Sequence, residues 1–297
     1  MKRITIFLLG VALVLYIKTV CFAAPAWEVS ARQWESKGSF DYLLFYPYSA
    51  QMESLVRFPQ NQSLILVSLR HNLEDGRHFI YLEYGGSNPG LKGRGSDSDW
   101  TIYGDDTLTY YGEMDGWGQV NRLTVEGGTL LARNGIWTVT LLGGWSRQET
   151  TNELKNIIYH LIEGEDVGNQ TQPDNGSRFD GVLSGYHFGI GNNLELNPRI
   201  HVNMKTALTI LSARANGHWA NHDPAWDWVD TGNGLGFSGG LGMEYALGEK
   251  LLVNIRYDYF YANIPGCKEA LNGEALEESV GLRYEQAGVF LGLNYRF

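Results

Sequence analysis

Gly288-Val289-Phe290-Leu291-Gly292-Leu293-Asn294-Tyr295-Arg296-Phe297 closes the chain, and its reading decides the fold. In an extended strand Val289, Leu291, Leu293, Tyr295 and Phe297 share one face, while Phe290, Gly292, Asn294 and Arg296 share the other. Strict alternation of this kind suits a strand with an apolar medium on one side and a polar one on the other. About ten tilted residues cross the hydrocarbon layer of a bilayer. A sandwich strand has the same period, so the choice falls to the remaining sequence.

A chain of 297 residues fills a single barrel. Its 37 glycines, with 17 tyrosines and 9 tryptophans, fit small inward positions and aromatic girdles. After the first twenty residues no apolar run is long enough for a membrane helix, so any spanning falls to strands. Lys2 and Arg3 precede an apolar run over 4–17, and Cys21-Phe22-Ala23 offers small residues where a signal peptidase reads. This predicts a signal peptide over 1–23 and one domain over 24–297. Val20 disfavours a lipoprotein site at Cys21, which then leaves with the leader, so Cys267 remains without an internal disulfide partner. Loss of Lys2, Arg3 and Lys18 leaves 20 basic residues against 33 acidic ones, a net charge near −13. That balance excludes nucleic acid as a partner and draws in cationic peptides.

The mature sequence reads as strands joined by two kinds of connection. Short turns are expected at 71–76 (Asp75-Gly76), at Arg133-Asn134-Gly135, from Gly191-Asn192-Asn193, and at Gly248-Glu249-Lys250. Long polar connections are expected over 87–114, 150–177 and 216–233. Between them the alternation is clean: Ile200, Val202, Met204, Thr206, Leu208 and Ile210 look outward, against His201, Asn203, Lys205, Ala207 and Thr209. Leu251, Val253, Ile255, Tyr257, Tyr259 and Tyr261 likewise oppose Leu252, Asn254, Arg256, Asp258 and Phe260. Lys205 on an inward face has no place in a soluble apolar core but suits a polar lumen. The expectation is all-β: a ten-stranded antiparallel transmembrane β-barrel with short periplasmic turns and long extracellular loops. The last strand has one irregularity, because Val280, Leu282 and Tyr284 stand on even positions and Val289 to Phe297 on odd ones. Either a bulge lies near 286–288, or the upper part projects above the bilayer.

Chemistry belongs on the long connections. Gly93-Arg94-Gly95-Ser96-Asp97-Ser98-Asp99-Trp100 carries two carboxylates one residue apart, able to share a proton, bind a cation or lie solvated. An EF-type calcium loop does not fit, since Ile102 stands where its glycine belongs and Leu108 where its closing acid belongs. His218 and His222 in Asn216-Gly217-His218-Trp219-Ala220-Asn221-His222-Asp223-Pro224 have metal spacing only on a helix, which this stretch is not. No metal site or cofactor motif is read.

The glycine-rich stretch ending in Asp97-x-Asp99-Trp100, His218 about 120 residues later and the terminal Phe297 together resemble the omptin family of outer-membrane proteases. The resemblance implies a barrel in the bacterial outer membrane, with its active-site loops extracellular and membrane lipid around it. It further implies a peptide or protein substrate attacked by water held between an Asp pair and an Asp-x-His dyad. Asp97 and Asp99 match the pair, and His218 matches the histidine as base. The dyad acid is replaced by Asn216, an amide without charge, leaving the base weaker unless Asp223 reaches in. Arg214 stands where the acidic specificity pocket would be. Trp145-Ser146-Arg147-Gln148-Glu149 inverts the charges of the lipopolysaccharide motif, so lipid activation is not carried over. Three functions follow from these residues. The expectation is the omptin-like endopeptidase at the cell surface; the alternative is a catalytically weak or inactive barrel acting as an adhesin or binding protein; a diffusion channel is disfavoured by a lumen filled by Lys205, Arg256 and Asp258.

Overall fold

The computed structural model describes residues 27–46, 51–73, 76–101, 107–172, 176–220, 224–275 and 279–297. The expected signal peptide, Glu74, Asp75, His222 and Asp223 lie outside the described residues. The strands are β1 (Trp27–Phe45), β2 (Met52–Pro59), β3 (Gln62–Asn72), β4 (His78–Ser87), β5 (Gly90–Trp100), β6 (Leu108–Asn134) and β7 (Trp137–Ile162). They continue with β8 (Glu165–Gln172), β9 (Arg178–Asn197), β10 (Ile200–Trp219), β11 (Trp226–Ala246), β12 (Leu251–Leu271), β13 (Glu274–Ala275) and β14 (Ser279–Arg296).

β1 pairs with β14 on one side and with β3 and then β2 on the other. β4 and β5 continue the ring against β3 and β2, and both lie on β6. β6, β7, β9, β10, β11, β12 and β14 then follow, all antiparallel, back to β1. Taken as single staves interrupted at 60–61 and 88–89, β3 with β2 and β4 with β5 complete a closed ring of ten. Closure leaves no free edge in the ring, so every stave's backbone finds a neighbour.

The sequence misplaces the long connections. β5, the upper ends of β6, β7, β10 and β11, and all of β8 carry the wall through most of 87–114, 150–177 and 216–233. Above the lipid the outer face meets water, so the strand stays hydrogen-bonded while its outward residues turn polar and resemble a loop. The turn expected from Gly191 is also displaced. Asn192 and Asn193 remain paired with β7 and β10, and the chain reverses at Pro198-Arg199, where proline has no N–H to extend the ladder.

The irregularity of the last strand is an inversion of polarity. The β1–β14 register runs unbroken from Arg296 to Ser279, so no bulge intervenes. Even positions face inward throughout: Phe290, Gln286, Tyr284, Leu282 and Val280 are buried, while Val289, Leu291 and Leu293 are exposed. Below Gly288 the apolar residues face out towards lipid, and above Glu285 they face in. β10 and β11 change in the same way. Leu208, Ile210, Leu235 and Phe237 are exposed, whereas Leu211, Ala213, Ala215 and Trp228 above them are buried.

The inward apolar residues meet as a plug across the lumen. Phe58 of β2 stacks on Phe179 of β9 at 4.0 Å, Phe40 lies 4.8 Å from Phe179, and Trp228 lies 5.9 Å away. Met114, Leu183, Ile264, Val280 and Leu282 fill the spaces between. Below the plug the interior is charged: Glu126 pairs with Lys205 and, at 2.9 Å, with His187, while Arg32 pairs with Glu83 and Arg256 with Asp258. This is the polar interior that Lys205 implied. A cavity of about 420 Å³ lies within that charged layer.

Candidate functional site

Asp97 and Asp99 reach the lumen through a kink in β5. The β5–β6 register shifts between Leu91 and Gly93, where Gly93 adopts φ 116°. The shift places Asp97 opposite Val56 and Asp99 opposite Ser54, and Val56 belongs to the plug, so both carboxylates face inward above it. Asp97 Oδ1 is buried without a hydrogen-bond partner. Burial, with the Asp99 charge beside it, holds the Asp97 carboxyl well above the usual carboxylate range. Burial and then Asp97 raise the Tyr110 phenol as well.

A second inward acid pair, Asp230 and Glu269, was not singled out from the sequence. The two are opposed directly across β11 and β12. Asp230 is fully buried with both carboxylate oxygens unpartnered, and burial followed by the Glu269 charge pushes it up to about 8. Glu269 accepts the Tyr42 hydroxyl at 3.0 and 3.1 Å, and Tyr42 packs against Trp228 at 5.0 Å. Asp230 lies in a stretch that reads as a polar loop, and only its parity with Trp228 signals an inward position.

Asn216 and His218 are placed otherwise than the catalytic expectation requires. On β10 the buried residues of this segment are Leu211, Ala213, Ala215 and Gly217, so Arg214, Asn216 and His218 lie on the outer face. Their neighbours agree: Gly217 pairs with buried Phe179 and with buried Trp228, while His218 pairs with Arg178 and Asp227. His218 Nδ1 lies 2.7 Å from Asp227 Oδ1, and Arg214 Nε donates to Asn216 Oδ1 at 3.2 Å. The carboxylate missing at 216 is thus supplied from β11, but outside the barrel. His160, the other described histidine of the upper wall, also faces out; it stacks on Tyr111, which pairs with Ser98 on the face opposite Asp97 and Asp99. The structure brings Asp97 to Asp99 and His218 to Asp227, and leaves the wall between the two pairs. The physical reason is the unbroken period of β10: with Leu208 and Ile210 in lipid, every even residue above them faces out.

With ring, plug and acid pairs in place, the architecture can be set beside known proteins. The outer membrane protease OmpT from Escherichia coli superposes with a TM-score of 0.80, over 94% of this chain and 99% of that one, at 13% identity. This chain has the omptin barrel fold. The translocator domain of the autotransporter NalP from Neisseria meningitidis covers 100% of this chain and 97% of its own at 11% identity, with a TM-score of only 0.42. Ail of Yersinia pestis covers 92% and 100% at 10% identity, with a TM-score of 0.28. No protein-family model matches the sequence, and no curated protein matches it. Within the omptin fold, identity this low carries the barrel and not the chemistry. The placement of Asn216 and His218 on the outer face is read from this chain's own strands.

Proposed function

We propose that this omptin-fold barrel sits in the bacterial outer membrane, its short turns periplasmic and its tall wall at the cell surface, and binds cationic peptide or protein without cutting it. The observation that supports this reading is the outward placement of His218. The chamber holding Asp97 and Asp99 has no described histidine to take a proton from water, and a peptidase of the omptin type needs that base. What the chamber offers is carboxyl acceptors above an apolar floor: Asp97 with Asp99 on one side and Asp230 with Glu269 on another, one member of each pair raised by burial and by its neighbour's charge, with Tyr110 and Tyr42 beside them. Charged clefts of low dielectric concentrate oppositely charged partners, and the plug closes the route to a channel.

One observation favours a second reading. Two adjacent carboxyls, one of them held above the usual carboxylate range by burial and by its neighbour's charge, can act as acid and base on one water without a histidine. A mixed peptide library incubated with the refolded barrel separates the two. Binding reads as retained basic peptides of unchanged mass. Cleavage lost in Asp97→Asn but kept in His218→Ala supports the carboxyl-pair peptidase, and cleavage lost in His218→Ala overturns the outward reading of that residue.

A further inference from the structure

The cavity within the charged lumen carries one positive charge more than its carboxylates balance, among the described residues. Arg32, Arg122, Lys205 and Arg256 line it against Glu83, Glu126 and Asp258, while Arg70 and Arg296 match Glu28 and Glu244 at its lower mouth. Three of the four upper cations are held directly: Arg32 by Glu83, Lys205 by Glu126, and Arg256 by Asp258 at 2.5 Å. Arg122 is left over. Its Nε lies 3.9 Å from Glu83 Oε1, and Glu83 also accepts from the Tyr81 hydroxyl at 2.7 Å. No other carboxylate lies within 4 Å of Arg122 among the described residues. An arginine drawn out of bulk water needs a counter-charge to offset its desolvation.

Space for a counter-ion adjoins it. Between the charged layer and the plug lies a smaller cavity of about 100 Å³, whose lining includes Arg122, Lys205, Arg256 and, as its only carboxylate among the described residues, Asp258. Thr124 and Trp34 belong to the same lining and are more than nine-tenths buried, and Thr124 Oγ1 and Trp34 Nε1 have no hydrogen-bond partner. Both atoms can donate, and the indole N–H can do nothing else. The Arg122 guanidinium lies over the Trp34 ring, 5.5 Å from its centroid, so the unmatched cation and the indole share one corner of the cavity. Orphaned donors beside an unmatched cation require an acceptor that carries charge. The two cavities share Arg122, Thr124, Lys205, Arg256 and Asp258, so an ion reaches the upper space through the lower one while the plug closes it above.

We propose that the smaller cavity binds a small monovalent anion, of the halide class, as the counter-ion of Arg122. Volume and charge set that class. The space takes a halide with roughly one or two waters, at about 30 Å³ for each water, and one unmatched positive charge selects one negative charge. The Arg122 guanidinium, the Thr124 hydroxyl and the Trp34 N–H are its donors. Water alone would satisfy the two neutral donors but leave the cation unbalanced. Held there, the ion ties β6 to β1 beneath the plug, so its loss is felt as a loss of barrel stability.

The test is anomalous diffraction from crystals of the detergent-solubilised barrel in sodium bromide, beside the heat-conversion temperature in bromide, chloride and gluconate at one ionic strength, gluconate being too large to enter. Bromide should give an anomalous peak in the cavity beside the Arg122 guanidinium. Both halides should raise the wild-type conversion temperature over gluconate by about 3 °C or more, saturating with concentration. Arg122→Gln should lose the peak and the rise, and Arg122→Lys should keep both. If Arg122→Gln does not fold, the wild-type peak decides together with Thr124→Val, which removes one donor and no charge and should raise the halide concentration for half-saturation severalfold. Bromide found on the outer surface only, a conversion temperature indifferent to the anion, a halide rise that survives Arg122→Gln, or a half-saturation unmoved in Thr124→Val overturns the proposal.

Discussion

His218 Nδ1 and Asp227 Oδ1 lie 2.7 Å apart on the outer face of the wall whose inner face belongs to Trp228 and Phe179. A histidine oriented by a carboxylate is half of a water-activating device, and here it is aimed away from the other half. Asn216→Asp therefore restores the sequence pattern without restoring the site. The expected outcome is peptidase activity at background for both wild type and variant. A rise of tenfold or more on the mixed library would place residue 216 in contact with substrate and refute the outward reading.

The Phe58–Phe179 stack at 4.0 Å closes the lumen between β2 and β9. Wild-type barrel in planar bilayers should show no steady conductance. Phe179→Ala removes the ring that also meets Phe40 and Trp228, with an expected loss of about 3–5 kcal/mol. That loss is read as a lower temperature for conversion of the compact gel band to the unfolded one.

Gly217 permits the close packing of Trp228 on β10. A Cβ at 217 would stand 1.8 Å from Trp228 Cε2, so Gly217→Ala must displace the indole. The expected cost is about 1–3 kcal/mol of overpacking. Gly248→Ala, where a Cβ meets nothing within 4 Å, is the control and should leave the conversion temperature within a degree or two of wild type.

Asp230 gives the barrel a pH dependence of definite sign. Its folded pKa, about 8, lies above the ordinary carboxylate value of 3.8. Between those values the folded chain keeps a proton that the unfolded chain has lost, so the group's contribution is full below about pH 4, falls as pH rises, and is flat above about 8. Asp230→Asn removes this slope. The variant should gain on wild type by on the order of a few kcal/mol between pH 5 and pH 8.5, read from unfolding in denaturant at both values. Equal slopes for the two proteins would show that Asp230 is ionised and solvated in the fold.

Asp97→Asn and Asp99→Asn together should weaken retention of basic peptides by about fivefold, the charge that the pair shares near an apolar floor counting for roughly 1 kcal/mol. Fluorescence anisotropy of a labelled oligolysine measures this directly. Unchanged affinity would move the binding surface off the chamber and onto the outer wall.

The ring of ten was legible in the sequence because a lipid belt on one side and a charged lumen on the other impose period two on every stave. Leu251 to Tyr261, Ile200 to Ile210 and Val289 to Phe297 show it without any neighbour in view. The same sequence misplaced most of the upper wall. There both surroundings of the strand change together, lipid giving way to water outside and charge to aromatic packing inside, so the hydropathy pattern loses its phase while the hydrogen bonds continue. The switch at 284–289 carried this information, but a bulge would have produced it equally well, and only the unbroken pairing with β1 distinguishes the two. The candidate site followed the same division. Asp97 and Asp99 were found as a pair, since two carboxylates one residue apart share a face of any strand. Whether that face was the lumen depended on the kink at Gly93, which no local pattern reveals. His218 was found as a histidine near the right place, and parity counted up from Ile210 already pointed it outward. Asp227 and the Asp230–Glu269 pair belong to tertiary structure alone, because contacts across strands depend on register, and register is set by the closed ring rather than by any one strand.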